Sequence, residues 1–160
     1  MSCFLAPFAR QNPGRPERGG FYPNLNSAYL DLIQEFSDVI ELQLYGHEHN
    51  EGLRLTPGPS VALMAPAVTP WDSSDPADPR NPGLRLFQYD GVTGEVLDYF
   101  QFHLNLTAAN LEGRAEWALQ YSFLDYYGLE DMRAGTVEEM VEAMWGEQEL
   151  MDKYILVRGQ

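Results

Sequence analysis

Two kinds of periodicity follow one another in the first third of the chain. Apolar side chains recur with the spacing of one face of an α-helix, at Leu25, Ala28, Tyr29, Leu32, Ile33 and Phe36. This spacing predicts a helix that opens at Pro23 and ends near Ser37. Residues 39–45 then alternate, which predicts a half-buried strand with Leu42 and Leu44 on one side and Gln43 on the other.

The remainder of the chain carries strand signals and then helical ones. Short strands are predicted at residues 53–55, 60–65, 84–89 and 95–104. Residues 70–83 predict an irregular loop, and residues 117–127 predict a helix that stops at Gly128. A capping box beginning at Thr136 predicts another helix. Its apolar face would carry Val137, Met140, Val141, Met144 and Trp145.

Composition narrows the class of protein. A chain of 160 residues with 44% hydrophobic and 12% aromatic residues is long and apolar enough for a folded domain, which excludes a disordered protein. Its net charge of −14 predicts no nucleic-acid polymer as a partner. No apolar run approaches the roughly 18 residues of a membrane span. A single cysteine, Cys3, excludes an internal disulfide.

Candidate chemistry is concentrated in two histidines. His47 and His49 follow the predicted strand and a glycine, where a turn could bring two imidazoles toward one metal ion. The alternative is a pair of solvated loop histidines beside Glu48 and Glu51, since such spacing is common by chance. His103 is interpreted as a structural or surface histidine, and the aspartates of residues 72–78 as a solvated acidic loop.

Several separate stretches carry a family resemblance. Residues 45–49 contain the G-H-x-H motif of calcineurin-type metallophosphoesterases. Together with residues 65–71, 81–90, 104–110 and 126–129, in that order, they resemble the acid sphingomyelinase-like phosphodiesterases over about residues 24–154. The resemblance implies an α+β fold, namely the C-terminal part of a metallophosphoesterase β-sandwich flanked by helices and ending in a small helical region. The prolines, glycines and arginines of residues 1–20 predict an irregular segment. The resemblance implies a metallophosphoesterase part 21–106 and a helical region 107–160.

The resemblance also implies a chemistry and a compartment. Family members hydrolyse phosphodiesters with two zinc ions, and both histidines of the motif are zinc ligands, which correspond to His47 and His49. The asparagine of the family's LNLT stretch is a glycosylation site, which corresponds to Asn105, within an Asn-Leu-Thr acceptor tripeptide. The implied localisation is extracellular or lysosomal, although residues 1–20 contain no clear signal peptide. The substrate would be a lipid or nucleotide phosphodiester.

Departures from the family pattern leave alternatives open. The family's other ligand motifs, D-x-H, G-D-x-x-D and G-N-H-E, do not occur in this sequence. We therefore expect a partial phosphodiesterase that is inactive alone, because two histidines cannot hold two metal ions. The alternative is a noncatalytic truncated relative that binds a protein partner at an exposed sheet edge. An unrelated acidic α+β domain is the third hypothesis, and the ordered matches argue against it.

Overall fold

The computed structural model describes residues 23–40, 42–46, 49–58, 60–72 and 79–158. The helices in these ranges are α1 (Pro23–Glu35), α2 (Leu106–Glu112), α3 (Phe123–Tyr127), α4 (Ala134–Ala143) and α5 (Gln148–Arg158). The strands are β1 (Leu42–Tyr45), β2 (Gly52–Thr56), β3 (Ser60–Met64), β4 (Trp71–Asp72), β5 (Pro79–Arg80), β6 (Gly83–Tyr89), β7 (Val96–Leu104) and β8 (Trp117–Ser122). The predicted α+β class is confirmed. The predicted segment 1–20 lies outside the described residues, and the division at residue 106 stays a prediction.

The first sheet brings three strands together in the order β1-β3-β2. β3 pairs in parallel with β1 and antiparallel with β2, so the central strand has a hydrogen-bonded neighbour on both edges. Its five residues are all buried. Tyr45 at the end of β1 and Gly52 at the start of β2 are both register partners of Met64 on β3. The connection from β1 to β2 therefore crosses over the carboxyl end of β3.

The second sheet is an antiparallel meander in the order β6-β7-β8. The predicted hairpin between β6 and β7 is confirmed, and its turn is closed by Asp90, whose Oδ1 accepts from the amides of Val92 at 2.7 Å and Thr93 at 2.8 Å. β4 and β5 form a separate two-residue ribbon inside the segment predicted to be an irregular loop. The two larger sheets and the C-terminal helices share one core. Its buried members include Val61, Leu63, Tyr99, Tyr121, Phe123, Val137 and Met140.

The predicted helix over residues 117–127 is wrong in its first half. Residues 117–122 form β8, which pairs antiparallel with β7 across a bulge, and only Phe123–Tyr127 is helical. Pairing with β7 supplies the hydrogen bonds that a helix would have made locally. Gly128 does end the helix, with a φ of 71° in the left-handed region where glycine is favoured.

The predicted capping box at Thr136 is also wrong. Helix α4 begins earlier, at Ala134, with Arg133 in the N-cap position. The Thr136 hydroxyl donates instead to Asp131 Oδ1 at 2.6 Å, and Arg133 Nε donates to Asp131 Oδ2 at 2.7 Å. Hydrogen bonds from Arg133 and Thr136 lower the pKa of Asp131 to about 2. On the predicted apolar face of α4, Val137 and Met140 are buried, whereas Trp145, which follows the end of the helix, is 83% exposed.

On β1, the polar side chain is buried and an apolar one is exposed, which the alternation did not predict. Strand β1 begins at Leu42, later than expected, and Gln43 is 7% exposed whereas Leu44 is 47% exposed. Gln43 is buried because its Nε2 donates to Thr56 Oγ1 at 3.1 Å and Ser60 Oγ at 2.9 Å. Its Oε1 also accepts from the Tyr29 hydroxyl, which joins the sheet to α1. A satisfied polar group can occupy a buried face at little cost.

Candidate functional site

The histidine-bearing loop leaves the carboxyl end of β1, as predicted. Strand β1 ends at Tyr45, Gly46 follows outside it, and His49 lies in the connection to β2. His49 is partly exposed and has a φ of 58°. Among the described residues it is the one non-glycine residue with positive φ. His47, the other predicted ligand, lies outside the described residues. The loop thus presents one imidazole at the rim of a sheet.

The backbone of His49 is held in a sparsely populated conformation. Left-handed φ values cost a non-glycine residue on the order of 1–3 kcal/mol, and they persist where the surrounding structure fixes the chain. Here both stems of the loop are fixed, because Tyr45 and Gly52 each pair with Met64 on β3. Close packing also fixes the point where the loop enters β2, because a Cβ on Gly52 would lie 2.2 Å from Met64 Cε.

A buried charged network lies directly behind this loop. Glu51 is 6% exposed, and its Oε1 lies 2.9 Å from Nη2 of Arg85, whose side chain is 1% exposed. The same Oε1 accepts from the Tyr99 hydroxyl at 3.0 Å and from the Tyr121 hydroxyl. Two hydroxyl donors from β7 and β8 and the guanidinium charge of Arg85 from β6 therefore converge on one oxygen atom at the start of β2.

The surroundings of Arg85 complete the network. Nε donates to Gln101 Oε1 at 2.9 Å, Nη1 donates to the Met64 carbonyl at 3.4 Å, and the guanidinium carbon lies 3.9 Å from the centre of the Tyr99 ring. Burial alone would lower the pKa of Arg85, but Tyr99 and Glu51 beside it raise the pKa above its ordinary value. Arg85 therefore stays charged at physiological pH.

The two tyrosines act as donors to the carboxylate. Burial raises the pKa of Tyr99 and Tyr121 above the ordinary value for a phenol. Both hydroxyls stay protonated at physiological pH, so each can donate to Glu51. From the sequence, Glu51 was only a neighbour of the loop histidines, and its burial among these donors was not predicted.

This network could not be found from the sequence, although one signal was present. Arg85 lies between Leu84 and Leu86, and Gln101 lies between Phe100 and Phe102, so each is a polar residue flanked by apolar ones within a strand. Alternation places such residues on the face opposite to the leucines and phenylalanines. Here that face is the buried one, while Leu84 and Leu86 are 42% and 52% exposed.

The donor set for a metal is incomplete within the described residues. No three histidine, cysteine, aspartate or glutamate side chains lie together in the part of the chain that the structure describes. Imidazole is a suitable zinc ligand, but a zinc site needs about three protein ligands. The described residues on their own therefore do not fit the predicted pair of zinc ions.

The remaining histidine and the predicted glycosylation site are placed clearly. His103 lies on β7, partly buried, and its Nδ1 is buried without a hydrogen-bond partner in the part of the chain that the structure describes. Asn105 is exposed and caps α2, since its Oδ1 accepts from the Ala108 amide at 3.0 Å. This cap uses the side-chain oxygen, whereas a glycan would be attached to the side-chain nitrogen.

A cleft of about 900 Å³ lies away from His49. It is lined by the residues that lead into β1, by Leu42 and Leu44, by the turn between β6 and β7, and by the start of α4. Among the described residues, β1 pairs with β3 alone, and its Leu42 and Leu44 line this cleft. None of the helices in the described ranges has the length and apolar character needed to cross a membrane.

Comparison with known proteins places this architecture in a family. Residues 59–156 match the acid sphingomyelin phosphodiesterase C-terminal region. The human cyclic GMP-AMP phosphodiesterase SMPDL3A is 41% identical over 114 residues, which cover 68% of this chain and 25% of that protein. Sphingomyelinase phosphodiesterase C of Dictyostelium discoideum is 34% identical over 119 residues, covering 67% of this chain and 27% of that protein.

A third relative extends the match along this chain. The human acid sphingomyelinase-like phosphodiesterase 3b is 30% identical over 142 residues, which cover 84% of this chain and 31% of that protein. The chain thus spans about a quarter to a third of the length of these relatives. The assignment of its sheets to a metallophosphoesterase sandwich rests on the family. The chain belongs to the acid sphingomyelinase-like phosphodiesterase family and carries that family's C-terminal region.

Proposed function

We propose that this chain supplies the C-terminal part of an enzyme that hydrolyses phosphodiester bonds. The observation that carries the proposal is the family match over residues 59–156, together with relatives named as phosphodiesterases. One relative is named for cyclic GMP-AMP and others for sphingomyelinase activity, and a phosphodiester is common to both. The proposed substrate is therefore a nucleotide or lipid phosphodiester.

The proposed cofactor is zinc, with His47 and His49 as ligands. Support comes from the chemistry of imidazole and from the position of His49 in a loop at the carboxyl end of a strand. The further ligands would come from outside the described residues. When bound in a two-metal site, zinc would supply an activated water and stabilise charge on the phosphodiester. The chain alone is proposed to be inactive, because its own ligands leave a metal ion under-coordinated.

Zinc calorimetry on histidine variants tests this proposal. We expect weak binding by the 160-residue chain at neutral pH. The affinity should fall below about pH 6.5, where imidazole becomes protonated. His47→Ala and His49→Ala should each abolish the binding, whereas His103→Ala is the matched control and should retain it. Tight binding that survives both loop variants would contradict the ligand assignment, as would phosphodiester turnover by the chain alone.

An extracellular or lysosomal location is proposed along with the family function. The supporting observation is that Asn105 of the acceptor tripeptide is exposed at the start of α2. A glycan requires both exposure and passage through the secretory route. We propose that Asn105 carries a glycan in the secreted or lysosomal protein.

A second candidate function is protein binding through the open edge of β1. An edge strand presents unpaired amide and carbonyl groups, and Leu42 and Leu44 of this strand line the cleft of about 900 Å³. Leu44 on the edge is 47% exposed. The occupant proposed here is an extended segment of a second copy of the chain, which would add a strand beside β1.

Sedimentation at increasing protein concentration tests the second candidate. Leu44→Lys should prevent self-association, since a charge on an edge strand opposes strand addition. Leu86→Lys is the matched control, because Leu86 is 52% exposed on β6, which is also an edge strand. A chain that stays monomeric at high concentration would rule this candidate out. Equal effects of the two substitutions would also contradict it.

A further inference from the structure

The connection from β1 to β2 is fixed at both ends by pairing with β3, and none of its described residues, 46 and 49–51, belongs to a strand. Residues 46–51 lie between Tyr45 and Gly52, which are both partners of Met64. A loop of this kind passes over the end of β3, and its conformation depends on side-chain anchors. Within this loop, Glu51 is buried at 6% exposure. Its carboxylate is therefore the natural anchor of the loop.

The anchor reaches across to the second sheet. Arg85 contacts Glu51 Oε1 at 2.9 Å through Nη2 and donates to the Met64 carbonyl at 3.4 Å through Nη1. One guanidinium thus contacts the end of the loop and the strand over which the loop passes. Its fixed planar geometry allows both contacts at once. Tyr99 and Tyr121 add two hydroxyl donors to the same carboxylate oxygen.

We propose that Glu51 is a positioning residue, which holds the loop so that His49, a proposed metal ligand, keeps its left-handed backbone. Glu51 is two residues from His49, and a left-handed φ at a non-glycine residue needs support from its surroundings. Glu51 acts through the backbone and touches no reacting atom. This inference rests on the proposed function, because the direction of His49 matters only if His49 is a ligand.

Amide hydrogen exchange on the 160-residue chain tests the proposal without catalysis. Glu51→Ala removes the anchor. Exchange at residues 49–52 should become about tenfold faster or more, which is the factor that loss of one hydrogen bond to a charged group produces. The exchange rates of the β3 amides should rise only as far as the loss of global stability requires. The Cα and Cβ chemical shifts of His49 should move away from left-handed values.

Two further variants make the test specific. Tyr121→Phe removes one hydroxyl donor to Glu51 and should give a smaller acceleration at the same amides, which keeps the test decisive if Glu51→Ala does not fold. Thr56→Val is the matched control. Thr56 is also buried and lies at the far end of β2, where its hydroxyl donates to the Ser60 carbonyl at 2.9 Å. This control should leave residues 49–52 unchanged relative to β3.

The outcomes separate the inference from the proposed function. Equal acceleration across the loop and β3 in both Glu51→Ala and Tyr121→Phe would overturn the positioning role. Acceleration of the loop by Thr56→Val to the same extent would overturn it as well. Loop-specific acceleration combined with absence of phosphodiester hydrolysis in a chimera of this chain with the N-terminal part of a relative would leave the loop anchor intact and reject the proposed function.

Discussion

Replacing Arg85 by methionine should destabilise the chain far more than an ion-pair substitution usually does. The side chains of Arg85 and Glu51 are 1% and 6% exposed, so solvent does not screen the pair. Removing one partner leaves a buried carboxylate without its counter-charge, which costs about 3–5 kcal/mol. Gln101 and the Met64 carbonyl lose a donor at the same time. Out of a total stability of about 5–15 kcal/mol, this loss is large.

A double-mutant cycle isolates the charge pair from its surroundings. Glu51→Gln combined with Arg85→Met removes both charges, and the double variant should be more stable than the sum of the single effects by about 1–3 kcal/mol. Urea unfolding followed by circular dichroism measures each free energy of unfolding. The exposed pair of Arg114 and Glu116, at 2.8 Å with side chains 67% and 62% exposed, is the control. Arg114→Met should cost at most about 1 kcal/mol.

Two results would refute this reasoning. The first is a loss for Arg85→Met of about 1 kcal/mol or less, as found for exposed pairs. The second is additivity of the two substitutions within about 0.5 kcal/mol, which would mean that the charges do not interact. Either result would also remove the basis for treating Glu51 as the anchor of the histidine loop.

Local geometry supports three further predictions. Gly83→Ala should lower the free energy of unfolding by about 1–3 kcal/mol through overpacking, because the new Cβ would lie 2.4 Å from Cγ of Pro66. Gly91→Ala is the control: it has open space around it and should be near neutral in the same urea titration. The folded-state pKa of Asp131 is lowered to about 2, so the stability advantage of the wild type over Asp131→Asn should be full above about pH 4 and should disappear as the pH falls to about 2. A difference in melting temperature that does not depend on pH would contradict this. Thr107→Ala destroys the glycan acceptor but keeps the α2 cap, so it should abolish the glycosidase-dependent mass shift of material from a secretory host, and a shift that persists would exclude this site.

The parts of the fold that the sequence predicts well are those set by local signals. Helix α1 follows from its apolar spacing, and the β6–β7 hairpin follows from a turn in which Asp90 accepts from two amides. The strands β2 and β3 follow from their flanking turn. In each case, the residues that determine the structure lie within a few positions of one another.

Prediction from the sequence fails where partners distant along the chain decide the outcome. Residues 117–122 become a strand because β7 is beside them, and no local signal reports this pairing. Gln43 is buried because Thr56 and Ser60 from the next two strands satisfy its amide. The candidate site fails to be predicted for the same reason. Glu51 is buried because Arg85, which is distant along the chain, lies beside it. The histidine motif itself was recognisable because it is contiguous.

The most direct test of the central claim is a chimeric phosphodiesterase. The C-terminal part of the human cyclic GMP-AMP phosphodiesterase SMPDL3A would be replaced by residues 24–154 of this chain, the stretch that carries the family resemblance and contains His47 and His49. Hydrolysis of cyclic GMP-AMP would then be measured alongside thermal unfolding. We predict that a folded chimera hydrolyses the substrate and that His49→Ala reduces the rate by about 100-fold, because the variant would lose one of the proposed ligands of the metal site. A folded chimera without activity, or one whose activity survives His49→Ala, would contradict the claim that this chain carries part of a phosphodiesterase active site.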